Sequence, residues 1–219
     1  MRKENVILTF SGKAHGGKDT CVSFVRDGFE KQGKSVFCLA FGDYVKTLCS
    51  RNFGYNEEFK EDYRDMLQKF GTDIVRSTEE DFWVRIVFNT IDMLSDIYDV
   101  FLISDARFLN ELQPYPYRMS YPIFNVLIKR NMEDALTEDQ EKHISEDLAN
   151  NPPKDLFHII INNDEGLDEL EKMSNSIVQF ILTIQENYEE INKQNTDEGI
   201  NDLFGKMVNE MEFDEEDIE

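Results

Sequence analysis

Cysteine is scarce and unpaired in this chain. Cys21, Cys38 and Cys49 are isolated thiols that form no CxxC unit and have no histidine at tight ligand spacing. That pattern favours free thiols in a reducing compartment over a disulfide framework or a zinc site. Long apolar runs are missing too: none approaches the roughly 18 residues of a membrane span. The N-terminal MRKENVILTF holds too short an apolar stretch for a signal peptide. Positive charge is in short supply, with 23 Lys and Arg against 45 Asp and Glu and a net charge of -22. Such acidity argues against duplex nucleic acid, whose phosphates need clustered cations, and against anionic membranes. The expectation is a cytoplasmic protein with no membrane partner, in which a local basic pocket for a small phosphate ligand is still permitted.

What is present suits one well-buried domain. Of 219 residues 40% are hydrophobic, and the 17 Phe alone supply a substantial core. Apolar runs read as strands at Val6–Phe10, Ser35–Phe41, Val100–Ser104, Ile123–Ile128 and Phe157–Ile161, each ending in polar residues. Runs of this kind match the buried strands of a parallel sheet. Helical patterns lie between them at Thr20–Gln32, with Gly33 as a C-terminal cap, at Asp81–Asp96 and at Leu167–Ile184. The alternation implies a three-layer α/β domain with five parallel strands, whose ligands bind beyond the carboxyl ends of the strands. Residues 131–153 are polar, lack periodicity and read as a small lid. From Glu186 onward thirteen acidic residues face only Lys193 and Lys206. The chain therefore divides into a domain at 1–185 and an acidic extension at 186–219.

The sharpest signal is Gly12-Lys13-Ala14-His15-Gly16-Gly17-Lys18-Asp19-Thr20, set between a strand and a helix. Glycines let the backbone curl so that successive N–H groups face one concavity, and the helix N-terminus adds partial positive charge there. This is the context of a phosphate loop, and so of a P-loop NTPase fold, with Lys18 reaching the β- and γ-phosphates of ATP. Asp19 stands where such loops usually carry Ser or Thr, and the hydroxyl comes one residue later, at Thr20. That order weakens a direct bond from Thr20 to Mg2+ and leaves more of the metal's shell to water and other ligands.

Downstream, Val100–Asp105 is an apolar strand ending in an acid. The Asp105 carboxylate would lie beside the loop and help hold magnesium, with Arg107 and Asn110 emerging in the same cleft. Arginines recur at element ends: Arg64, Arg76, Arg85, Arg107 and Arg130. Arg85 taken singly reads best as a surface ion-pair partner. Arg130 ends a strand and begins the lid, a position from which it can swing onto the transferring phosphoryl group. Several arginines favour a phosphate acceptor, which is already anionic and needs its repulsion offset. The surplus of carboxylates leaves open a hydroxyl acceptor, which would need a base.

The ordered motifs FSGKAHGGKDT, AFGDYVK, QKFGTDIVR, Trp83, ISDARFLNE, HISE and IIINND together resemble the phage-type deoxynucleoside monophosphate kinases of the P-loop, adenylate-kinase-like superfamily. They span residues 5 to about 185. The resemblance implies phosphoryl transfer from ATP to a deoxynucleoside 5′-monophosphate, in the host cytoplasm if the source is viral. It places Asp43, Lys46, Arg64, Gly71, Arg76 and Trp83 on the acceptor side, and Asp105, Arg107 and Asn110 towards the phosphates. Arg130 and His143, with Glu146 in the same HISE motif, fall to the closing region. Related kinases are often dimers, so a homodimer is an open state for this chain.

Two departures stand out. Residues 131–142 contain no arginine beyond the strand end, and the DARF stretch runs into Tyr115, Tyr117 and several prolines. Other acceptors also fit the residues, for example a phosphomevalonate-type metabolite. A nucleotide-dependent switch is the remaining alternative, but the guanine-specifying Asn-Lys-x-Asp element is absent.

Overall fold

The computed structural model describes residues 5–59, 62–114, 121–131 and 143–194. Its contacts divide the chain into a unit at Met1–Asn175 and a second at Ser176–Glu219. All five expected strands form: β1 (Val6–Ser11), β2 (Val36–Leu39), β3 (Val100–Ile103), β4 (Ile123–Lys129) and β5 (Ile159–Asn162). They make one parallel sheet in the order β2-β3-β1-β4-β5. Position in that order explains the sequence pattern. Residues of the central strands β1 and β3 are buried throughout, whereas edge strand β5 alternates buried and exposed positions.

Helices cover the sheet, giving the three-layer α/β architecture. Helix α1 (Lys18–Lys31) buries Cys21, Val25 and Phe29. It ends as its glycine requires, with Gly33 at φ +75° one residue beyond the C-cap Gln32. Helices α2 (Phe41–Phe53) and α4 (Phe82–Leu94) share a core with the sheet. In that core Val45, Val84, Val87, Phe88 and Ile91 meet Ile7, Phe101 and Ile103. A buried polar network crosses from β1 to β4 and beyond. Thr9 donates to Asn125 Oδ1 at 2.7 Å, and the Asn125 amide donates to Leu156 O at 2.8 Å and Leu112 O at 3.3 Å. His158 Nδ1 accepts the Asn125 backbone N–H at 3.0 Å, so every polar atom of this interior asparagine is matched.

Several elements depart from the sequence reading. The second strand stops at Leu39, because Phe41 opens α2 rather than closing β2. Residues 64–76, read without an element, form helix α3 (Arg64–Gln68) running into a π-helical turn at Lys69–Arg76. A short helix α5 (Leu109–Leu112) follows the DARF stretch, and helix α6 (Ile144–Asn150) falls within the expected lid. Residues 115–120, including Tyr115 and Tyr117, and lid residues 132–142 lie outside the described residues. The last helix, α7 (Leu167–Gln194), runs through the expected boundary at 185 and 186, while tail residues 195–219 lie outside the described residues. No helix among the described residues is long and apolar enough to cross a membrane.

Candidate active site

The loop after β1 sits at the centre of the sheet, between β3 and β4, where a doubly wound fold places its ligand. Gly12 adopts φ +142°, and a Cβ there would stand 2.2 Å from the Ile128 carbonyl oxygen. Only glycine lets the chain leave β1 this close to β4. Gly17, at φ +96°, turns the loop into α1, and a Cβ on it would meet Asn163 Nδ2 at 2.3 Å. Asn163, at the end of β5, donates from that same nitrogen to Gly16 O at 2.9 Å and so braces the loop from behind. His15 is the non-glycine residue with positive φ, at +59°, among the described residues. Lys18 curls back over the loop, its Nζ donating to Gly12 O at 2.7 Å and Lys13 O at 2.6 Å.

A cleft of about 670 Å³ opens in front of the loop, within the size range of small-molecule sites. Ala14, His15, Gly17, Lys18, Asp19 and Thr20 line one side of it. The structure brings most of the other expected residues to the same space. Asp43, Lys46, Arg64, Gly71, Arg76 and Trp83 line it, as do Asp105, Arg107 and Arg130. Trp83 is buried, and its indole N–H donates to Gly71 O at 2.9 Å, joining α4 to the π turn. Gly71 is itself close against α2, where a Cβ would stand 3.2 Å from both Val45 methyls. Arg85 points elsewhere and pairs with Glu79 on the surface.

Among the described residues, Gly12, Lys13 and Gly16 of the loop, and Asn110 and His143 beyond it, are not part of the cleft lining. Asn110 turns to the start of α4, donating to Asp81 Oδ1 at 2.8 Å and Glu80 O at 3.2 Å. The one-turn helix α5 directs it there, and Asn110 Oδ1 also accepts from Arg76 Nη1 at 3.5 Å. His143 lies 3.2 Å from Asp73 Oδ1 on the π turn. The Glu146 side chain lies outside the described residues.

The carboxylates are tied into the frame. Asp105 accepts the backbone N–H groups of Phe41 at 2.7 Å and Gly42 at 2.8 Å, anchoring the N-terminus of α2. Desolvation pushes the Asp43 carboxyl up, Lys46 opposes this, and Asp105, Glu57 and Asp19 add to the rise. Lys46 lies between two acids, 3.4 Å from Glu57 Oε1 and 3.8 Å from Asp43 Oδ1.

Glu111 had no role in the sequence reading. It is 1% exposed and binds the Arg76 guanidinium with one oxygen. Its other oxygen accepts the backbone N–H groups of Arg107 at 2.6 Å and Phe108 at 3.1 Å. Burial pushes its carboxyl up to about 7; Arg76 and the two amides oppose the rise, and Asp105 adds to it. The spacing Arg107 to Glu111 was visible in the chain, but nothing in the sequence marked that glutamate as buried. Asn163 was likewise part of a quoted motif without a role.

A phosphate loop at the centre of a five-stranded parallel sheet, facing a cleft lined by arginines, defines a P-loop kinase. Residues 45–174, more than half of the chain, match the family model for deoxynucleotide monophosphate kinase, and the chain belongs to that family. It is an ATP-dependent kinase. The matched stretch begins after the phosphate loop, which stands on its own geometry.

The dephospho-CoA kinase of Campylobacter jejuni shares 11% identity at a TM-score of 0.50, covering 81% of this chain and 96% of that one, a likeness of fold alone. Shikimate kinase from Acinetobacter baumannii, solved in complex with shikimate, shares 15% identity at a TM-score of 0.47, covering 83% and 95%. An APS kinase from Mycobacterium tuberculosis, in complex with AMPPNP and APS, shares 13% at 0.46, covering 80% and 98%. No curated protein sequence matches the chain.

Proposed function

We propose that the chain transfers the γ-phosphoryl group of ATP to a deoxynucleoside 5′-monophosphate, giving the diphosphate and ADP. The observation that carries this reading is the shared cleft: Lys18 of the phosphate loop opens on the same space as Arg64, Arg76, Arg107 and Arg130. A monophosphate acceptor is already a nucleophile, and the obstacle to transfer is repulsion between two anions. Guanidinium groups fork onto phosphate oxygens and offset that repulsion. The deoxynucleotide is supported by the family to which the chain belongs.

In this reading the amides of residues 12–20 cradle the ATP phosphates. Lys18 releases Gly12 O and Lys13 O and turns to the β- and γ-phosphates, so the phosphates replace backbone carbonyls as its partners. Asp43, Lys46, Gly71 and Trp83 shape the acceptor side. Arg107 and Arg130 meet the charge that develops on the transferring group. His143 and Glu146 belong to a segment that closes over the cleft and excludes water, which suppresses hydrolysis.

The donor set fits Mg2+, which is held by hard oxygens from one or two carboxylates together with phosphate and water. Asp105 uses one lone pair on each oxygen for α2 and retains others, and Thr20 lines the same cleft. These two residues would hold the ion, which would supply charge neutralisation to the phosphates during transfer.

A coupled ADP-release assay with ATP, Mg2+ and a panel of deoxy- and ribonucleoside monophosphates tests the reading. Acceptor-stimulated release is expected, with deoxynucleotides preferred. Release that no monophosphate stimulates would sink it.

A further inference from the structure

Two of the cleft's arginines come from different parts of the chain. Arg76 ends the π turn, and Arg107 follows β3. Flexible cations converging on one anion repel each other, and holding them costs side-chain entropy, so something must fix them beforehand. One carboxylate touches both regions. Glu111 binds the Arg76 guanidinium on one side and the amides of Arg107 and Phe108 on the other. The Arg76 guanidinium also lies 4.0 Å from the centroid of the Phe108 ring, while Glu80 O accepts from its Nη1 at 3.2 Å. Both side chains of the ion pair are nearly solvent-free, at 8% for Arg76 and 1% for Glu111.

An ion pair this buried gains little net stability over an apolar pair, because desolvating both charges offsets most of their attraction. Its value lies in geometry. The guanidinium is held over the Phe108 ring with Nη2 on Glu111, and Arg76, Arg107 and Phe108 all line the cleft. Glu111 also lines it, bound to the arginine. We infer that Glu111 is a positioning residue that presets Arg76 and the Arg107–Phe108 backbone to receive the acceptor's phosphate. The inference rests on the proposed function and adds to it the residue that sets the acceptor site in register.

Steady-state kinetics of Glu111→Gln, with the best acceptor of the wild-type panel, test this. Gln keeps the size and one acceptor oxygen but presents an NH2 to a donor. The expected result is a rise of about tenfold or more in acceptor KM, the loss of a charged hydrogen bond, with ATP KM changed less than about twofold. In an Arg76→Ala background the same substitution should cost much less, because the partner through which it acts is gone. Equal rises in both KM values, or costs that simply add, would overturn the inference and leave Glu111 a folding residue. If the Gln variant does not fold, Arg76→Lys probes the clamp from its other end. A selective loss on the acceptor side supports it, and equal losses on both sides overturn it. A wild type that no monophosphate stimulates would instead defeat the functional reading, so the two failures are distinct.

Discussion

The Asp105 carboxylate accepts the Gly42 backbone N–H at 2.8 Å, so the acid that follows β3 fixes the start of α2. A Cβ on Gly42 would stand 2.9 Å from that carboxylate oxygen, which leaves no room for a side chain between them. Negative charge at a helix N-terminus is favourable, and here it ties the helix carrying Asp43 and Lys46 to the strand beside the phosphate loop. Asp105 is thus built into the frame whether or not a metal is bound.

Asp105→Asn replaces one of its two acceptor oxygens with a donor that faces a backbone N–H. A loss of about 1–2 kcal/mol is expected, the scale of a removed helix cap, measured by urea denaturation. The metal role predicts a second effect: the Mg2+ concentration for half-maximal ADP release should rise. An unchanged Mg2+ dependence would confine Asp105 to anchoring α2.

Lys18→Met keeps an unbranched side chain one atom shorter and removes its charge. The substitution gives up the two hydrogen bonds from Lys18 to the loop carbonyls, but Gly12, Gly17 and Asn163 also set the backbone. Melting should therefore change little, while kcat falls at least about a hundredfold, the scale for one lost donor to developing charge. Turnover near the wild-type rate would contradict the role assigned to Lys18.

The sheet was legible because its strands are short apolar runs ending in polar residues, and the phosphate loop because its glycines sit between a strand and a helix. The boundary at Phe41 was not. Its aromatic side chain continues the apolar run, and what ends β2 is a carboxylate more than sixty positions away. The π turn was hidden for a similar reason, since the close seating of Gly71 on Val45 and the Trp83 indole bond on Gly71 O are tertiary contacts. Asn110 and Glu111 show the same limit at the site. Adjacent in sequence, they diverge because a one-turn helix sends one to Asp81 and the other into the interior.

Gly12→Ala tests the closest backbone approach at the site. The Cβ would fall 2.2 Å from Ile128 O, a backbone atom of a central strand that cannot rotate away, at a φ of +142° that alanine avoids. A cost of at least about 1–3 kcal/mol is expected from the backbone strain alone. ATP affinity should fall with it, read by calorimetric titration. A variant with wild-type melting and ATP binding would show that β1 leaves the sheet by another path.

Glu111 also makes stability depend on pH in a direction that can be worked out. In the folded chain burial, which Arg76 only partly offsets, holds its proton up to about 7, against an ordinary glutamate value of 4.5 in the unfolded chain. Between those values the folded state binds more protons than the unfolded state. The stability this group contributes is therefore fully present below 4.5 and is lost as pH rises through about 7. Glu111→Gln has no proton to bind there, so subtracting its unfolding free energy from that of the wild type removes the other titrating groups. The difference should decline from pH 5 to about 7 and flatten above it, measured by urea unfolding at matched ionic strength. A difference that is flat across that window and instead grows as pH rises towards about 4.5 would mean Arg76 outweighs burial and holds the carboxyl below its ordinary value.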